Sequence, residues 1–445
     1  MSIIIHPEDK FVNSSGESLT NNNFILRADP AAAGAVEKLH LKNSSRFIPQ
    51  MRGSLEQYSA SSNTKIVFMG TPEFSVPILE KLIQSEYKPA TVFCAPDKPV
   101  GRKQFLTPPP VKVIAQKYNI PVFQPRDVSS FKFQVSSLKP ELIITAAYSL
   151  ILPKEVLETP QFGCINVHPS LLPKYRGPSP IQTAILNGDA ATGVTIYKMD
   201  EQIDHGTIIA QEKIQIKETH HSDPAAAGEE SRGSEATRAT DIIRPTTPEL
   251  SQKLSNLSSE LLLKTLPDWL AGKITPMPQD DSQATYTKII TKEDGKIDWR
   301  KSAQAIERQI RAYTPWPGAY ASLTDYRLPT AAKLKILQAD IFFPPYAKGG
   351  WGVSAPLTQR GVGGFKFLSS LRRLLFPNPL NPPLQWWQKR QPGEIFLTDA
   401  NDLAFQTGDG SLIIKTLQLE GGKGKILSAQ DFLRGHKDTV GQILT

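Results

Sequence analysis

GCINVHPSLLPKYRG, residues 163–177, and GVTIYKMDEQIDHG, residues 193–206, carry the reading that decides fold and chemistry. Asn166 and His168 lie two residues apart. On a strand they share one face, because strand side chains alternate. Val167 then points the other way, into a core. Pro169 has no N–H for the ladder and ends the strand. The pair therefore projects from a strand end, where open α/β sheets hold their ligands. Asp204 is the third polar side chain that stands out in the stretch.

These residue types suit acyl transfer with an amine as nucleophile. A histidine takes or relays a proton near neutral pH. An asparagine amide donates a hydrogen bond to the oxyanion of a tetrahedral intermediate. A carboxylate orients an imidazole and favours its charged form. No serine or cysteine nucleophile is needed if the substrate brings its own amine. A plain structural reading stands beside this one. His168 also fits the end of a strand, Asn166 a turn and Asp204 a loop or cap, and spacing alone does not choose.

Upstream of this stretch, KIVFMG (65–70) reads as a buried strand, with Gly70-Thr71-Pro72 as its turn. Pro72 suits the first turn of a helix reaching about Gln84. GTPEFS lacks the further glycines of a dinucleotide fingerprint, so a nicotinamide cofactor is not expected. ATVFCAPD (90–97), PVFQP (121–125) and ELIITAAYSLILP (141–153) continue the strand pattern, the last leading into a substrate-side loop at Tyr148 to Leu150. Lys98, Arg102 and Lys103 read as a basic loop, and a helix follows Pro108 to Pro110. Pro178 to Asn187 reads as a helix. Strands stand at 193–200 and 208–216, and an amphipathic helix with a Thr start and a Gly stop at 246–272. Strands separated by helices predict a doubly wound, mostly parallel α/β sheet.

The 445 residues allow two or three domains, and 39% hydrophobic residues are ample for a soluble core. No apolar run is long enough to span a bilayer. The only cysteines, Cys94 and Cys164, give neither a disulfide framework nor a zinc pattern, and suit a reducing cytosol. No metal is expected, since His220 and His221 stand without further ligands. The net charge of +8 permits an anionic partner. Residues 1–62 read as a disordered extension rather than a signal or transit peptide, with Met51 an alternative start. DPAAAG occurs at both 29–34 and 223–228, a shared inserted element rather than a solenoid repeat. The domains expected are a catalytic one at 63–272 with an insertion at about 220–245, a linker at 273–283, and a second domain at 284–445. The last carries an atypical stretch at about 342–391, within which 365–376 could form a short basic amphipathic helix.

The Asn166–His168–Asp204 pattern resembles the signature of the folate-dependent formyltransferases. Ser170, Leu171, Leu172 and Pro173 match that family's folate-site loop, and Gly70-Thr71-Pro72 its opening turn. The resemblance implies Asn166, His168 and Asp204 as catalytic residues, with 10-formyltetrahydrofolate as co-substrate. Ser170 to Pro173, Tyr148 and Leu150 would bind the folate. The stretch from IDW (297–299) through RAYTPWPGA (311–319) is similar to the start of the C-terminal domain in those members that act on methionyl initiator tRNA. That similarity implies an OB-like β-barrel, with strands from 334–339 and from 392 onward. It also implies formylation of the methionine α-amino group. Arg102, Lys103, Lys288, Lys296 and Arg311 would meet the tRNA, and the protein is expected to act as a cytoplasmic monomer. Two other readings stay open: a formyltransferase acting on a small amine, such as an amino sugar or nucleotide precursor, and an RNA-binding relative whose site is retired.

Overall fold

The computed structural model describes residues 64–101, 103–216, 244–323, 332–342, 390–420 and 425–445. It also pairs Phe11–Val12 with Ser18–Leu19. The rest of the N-terminal extension, Arg102, the repeated DPAAAG segments, the two adjacent histidines and the expected helix at 365–376 lie outside the described residues.

The chain divides into two compact units. The first comprises Met1–Thr183, Ala190–Arg244 and Glu249–Ile289. Its sheet begins with β1 (Ile66–Gly70), every residue of which is buried. Continuous burial explains why this strand reads as an unbroken apolar run rather than an alternating one. At the turn that follows, a Cβ on Gly70 would come within 2.8 Å of the Ser75 Cβ. Glycine therefore lets α1 (Ser75–Ile83) start against the strand. Ser75 Oγ donates to the Ala146 carbonyl at 2.6 Å, which ties the helix start to a neighbouring strand.

Next come β2 (Thr91–Phe93), then β3 (Lys98–Val100) and β4 (Phe105–Thr107). The last two pair antiparallel, so the expected basic loop is a small hairpin. α2 (Pro110–Lys117) starts on a proline, and β5 (Val122–Phe123) follows. α3 (Val128–Leu138) is capped by Asp127, whose side chain accepts from the Ser130 N–H. Then come β6 (Leu142–Ala146), α4 (Lys154–Leu157), β7 (Cys164–His168) and α5 (Pro180–Asn187). β8 (Ala191–Lys198), β9 (Thr207–Gln215) and α6 (Thr247–Leu270) complete the run.

The sheet order is β9-β8-β7-β6-β1-β2-β5. From β7 to β5 all neighbours are parallel; β8 and β9 are antiparallel additions at one edge. This is the mostly parallel Rossmann-like sheet expected from the sequence, and its antiparallel edge brings GVTIYKMD alongside INVH. A core of Val67, Met69, Phe93, Phe131, Val135 and Ile143 packs beneath it.

The second unit comprises Ala184–Asp189, Pro245–Pro248 and Ile290–Thr445. α7 (Ala303–Tyr313) is capped by Ser302, whose hydroxyl accepts from the Ala305 N–H. β10 (Ala319–Leu323), β11 (Ala332–Phe342), β12 (Ile395–Leu397), β13 (Leu403–Gln406) and β14 (Ser411–Leu419) form an antiparallel sheet. Their order is β10-β11-β14-β13-β12, and β15 (Ile426–Ser428) also pairs with β14. α8 (Ala429–Gly435) follows. Among the described residues the strand path does not close on itself, and the OB-like sheet is a half-barrel. Trp299, Ile306, Ile310, Leu334, Phe405 and Phe432 form its core.

Candidate active site

The register of β7 against β8 sets the site. Tyr197 lies opposite Asn166, and Thr195 opposite His168. Residues paired across two strands point to the same face. Thr195 secures the loop after β7: its hydroxyl donates to the Ser170 carbonyl and accepts from the Leu172 N–H.

His168 is 4% exposed. Its Nε2 lies 3.0 Å from the Tyr175 carbonyl oxygen, which can only accept. Nε2 therefore carries a hydrogen, and Nδ1 is the ring atom left to exchange a proton. Nδ1 stands 3.6 Å from Asp204 Oδ1, an ion-pair distance longer than a hydrogen bond. The carboxylate thus faces the ring, while the Tyr175 carbonyl fixes its orientation. The Tyr175 carbonyl is a partner of the imidazole that the sequence reading did not name.

Asp204 is held from three sides. Oδ2 accepts from the Gly177 N–H at 2.6 Å, and Oδ1 from the Tyr197 hydroxyl at 2.8 Å. Its own carbonyl accepts from Gln279 Nε2 at 2.9 Å. Two glycines make this fit possible. Gly177 has φ +106, and a Cβ on Gly206 would sit on the Lys198 carbonyl. Asn166 Oδ1 accepts from the Thr145 hydroxyl at 2.7 Å, and Asn166 Nδ2 donates to the Tyr197 hydroxyl at 3.1 Å. One of its two N–H groups is therefore engaged. Among the described residues no acceptor takes the other. Burial first, and then the Asp204 charge, hold the Tyr197 phenol well above its usual range, so it stays neutral.

These side chains open on a cavity of about 210 Å³, lined by Thr145, Asn166, His168, Tyr197 and Asp204 among others. Tyr148 and Leu150 line it too. The Tyr148 hydroxyl is buried without a hydrogen-bond partner among the described residues, and burial pushes its pKa up. Ser170 to Pro173 do not line this cavity. Ser170 Oγ donates to the Lys174 carbonyl at 2.6 Å and Leu172 is buried, so these residues shape the loop from beneath. Both cysteines are buried and free, with thiols pushed up to about 12 by desolvation, which suits a site without a thiolate nucleophile.

The stretch expected to be a plain linker is built into the first unit beside this loop. The Arg176 N–H donates to the Thr285 carbonyl, and the Thr287 N–H to the Arg176 carbonyl. The buried Arg176 guanidinium donates to Gln279 Oε1 and Asp281 Oδ1, at 2.8 and 2.7 Å from Nη2. Sequence reading missed Tyr197, Gln279 and Arg176. Tyr197 and Arg176 both stand inside the quoted stretches, but strand register and tertiary packing set their partners, which no local spacing shows; Gln279 had no signal at all.

Known proteins match along both units. A family model described as formyl transferase matches residues 64–232, and one described as formyl transferase, C-terminal domain, matches 289–343 and 380–437. A methionyl-tRNA formyltransferase of Halalkalibacterium halodurans is 38% identical over 385 residues, covering 85% of this chain and 98% of that protein. The chain belongs to the methionyl-tRNA formyltransferases. A second relative of that name, from Listeria monocytogenes, is 38% identical over 374 residues, covering 84% of this chain and 96% of its own length. Among solved structures, HypX from Aquifex aeolicus in complex with tetrahydrofolic acid is a distant likeness. Its TM-score is 0.48 at 15% identity, over 84% of this chain and 47% of that one.

The basic residues expected to meet RNA fare unequally in this formyltransferase. Lys103, Lys288 and Lys296 are exposed. Arg311 is 7% exposed, and its guanidinium pairs with Glu307 at 2.7 and 3.0 Å and donates to the Pro245 carbonyl. It is a structural ion pair within the second unit. Its i,i+4 spacing from Glu307 on α7 brings the two together, so it is withdrawn as an RNA contact.

Proposed function

We propose that this chain transfers the formyl group of 10-formyltetrahydrofolate to the α-amino group of methionyl initiator tRNA. The observation that carries the proposal is the convergence of Asn166, His168 and Asp204 on one cavity. The membership of the chain in its family and the full-length relatives support the tRNA acceptor over a small amine.

The neutral amine attacks the formyl carbon, and a C–N bond forms as the carbonyl becomes an oxyanion. The second Asn166 N–H donates to that oxyanion. His168 Nδ1 takes a proton from the attacking amine, helped by the Asp204 charge. The bond to the folate nitrogen breaks, and that nitrogen receives a proton. No covalent enzyme intermediate forms. The first unit does this chemistry, and the exposed lysines proposed to meet RNA are Lys103 and Lys288 of the first unit and Lys296 of the second. Acting on initiator tRNA, the enzyme works in the cytoplasm as a monomer.

The test is formyl transfer to methionyl initiator tRNA, with methionyl elongator tRNA as control. Selective transfer to the initiator is expected, and His168→Ala should lower turnover by about 10²–10⁴-fold with folding intact. Transfer to small amines alone would overturn the tRNA reading. Near-normal turnover in His168→Ala would overturn the catalytic assignment.

A further inference from the structure

We infer that Tyr197 is a positioning residue that fixes which way the Asn166 amide faces, and so holds an N–H toward the cavity. This rests on the reading of Asn166, His168 and Asp204 as the catalytic set.

A primary amide is nearly symmetric in shape, so its orientation is set by its partners. Asn166 has two side-chain partners on this side of the strand, the Thr145 and Tyr197 hydroxyls. A hydroxyl both donates and accepts, so these two alone would satisfy either orientation. Asp204 removes that freedom. Its ionised carboxylate only accepts, and Oδ1 lies 2.8 Å from the Tyr197 oxygen. The phenol has one hydrogen, and it goes to Asp204. Toward Asn166 the phenol can then only accept. The amide must present its NH2 group to Tyr197 and its oxygen to Thr145.

A chain of fixed polarity results, running from Thr145 to Asn166, Tyr197 and Asp204. In the opposite orientation the amide oxygen would face the phenol oxygen without a hydrogen between them. Tyr197 is 2% exposed, so water does not replace the missing donor. The consequence is functional. With NH2 held toward Tyr197, its second hydrogen serves the cavity. With the amide reversed, a carbonyl oxygen would stand where an oxyanion develops, and two acceptors repel.

Tyr197→Phe tests this in the full-length protein, with turnover of methionyl initiator tRNA as the readout. The variant should lose at least about tenfold in kcat, toward the roughly 10²–10³-fold expected for a lost oxyanion donor. Its KM values should stay within about twofold, because an interaction made only in the transition state lowers kcat and kcat/KM alike. The double variant with Asn166→Ala should fall well short of the product of the two single losses. A destabilised but correctly assembled site would not give that coupling. Thr145→Val removes the hydroxyl at the other end of the chain but leaves the phenol able only to accept, so the amide should keep its orientation and kcat should fall far less than in Asn166→Ala. Where Tyr197→Phe fails to fold, a loss in folded Thr145→Val as large as that of Asn166→Ala would overturn the inference. Wild-type kcat in Tyr197→Phe, or full multiplication of the losses in the double variant, would overturn the inference. Near-normal turnover in Asn166→Ala would instead overturn the catalytic reading beneath it.

Discussion

Asp204 sits at φ +49, in the left-handed region that few residues other than glycine adopt freely. Backbone of this kind carries on the order of 1–3 kcal/mol of strain and persists where surrounding contacts over-determine it. Here the contacts are the Gly177 N–H, the Tyr197 hydroxyl and Gln279. Asparagine also tolerates the left-handed region, so Asp204→Asn separates charge from conformation. We expect it to fold with a somewhat lower melting temperature, because an amide cannot accept from both the Gly177 N–H and the Tyr197 hydroxyl, while kcat falls by the much larger factor of about 10²–10⁴. Equal losses of stability and kcat would mean that Asp204 serves the loop alone. At this scale the sequence made Asn166 and His168 legible, because a two-residue spacing on a strand fixes their common face. Tyr197 was not legible. Its meeting with Asn166 depends on the antiparallel register of a neighbouring strand, which no local spacing encodes.

The strands and helices of the first unit follow from their own residues, because apolar runs, prolines and caps act locally. The separate two-stranded hairpin at 98–107 read as a loop because it is short and its apolar side chains are exposed, Phe105 at 67% and Leu106 at 68%. The 273–283 stretch read as a linker because it carries two prolines, and residues 284–289, expected to open the second domain, belong with it to the first unit. The order of both comes from hydrogen bonds to the 175–179 loop and to the Asp204 turn. His205 belongs to the same clamp. Its Nδ1 lies 2.6 Å from Asp200 Oδ2 and its Nε2 3.4 Å from Asp281 Oδ2. The hydrogen bond to Asp200, opposed by partial burial and aided by Asp281, raises its pKa. A raised folded-state value means that the stabilisation is full below the unfolded pKa of about 6.5 and is lost as pH rises through the folded value. His205→Gln should therefore lower the urea midpoint at about pH 5.5 and leave it unchanged near about pH 9. The effect should stay under about 1 kcal/mol, because the pair is largely solvated. A larger loss at the alkaline end would contradict the ion-pair account.

Over the whole molecule, the net charge of +8 does not say which cations meet a polynucleotide. Burial does. Lysines and arginines look alike in a sequence, yet Arg311 is spent inside the second unit on Glu307, itself 5% exposed, whereas Lys296 stands at the surface. The two should fail in different ways. Arg311→Met leaves Glu307 buried without its partner, and breaking a buried pair on one side typically costs about 3–5 kcal/mol. Its melting temperature should drop, while the salt dependence of tRNA binding by the fraction still folded stays that of the parent. Lys296→Ala removes no buried contact, so its melting temperature should hold. If Lys296 neutralises a phosphate, the slope of log affinity against log salt should fall by about 1. Titrating methionyl initiator tRNA at several salt concentrations, beside thermal unfolding of each variant, resolves both effects. A reduced slope in Arg311→Met with unchanged melting would return that residue to the RNA interface. An unchanged slope in Lys296→Ala would remove that lysine from the RNA contacts and leave Lys103 and Lys288 as the next cations to test.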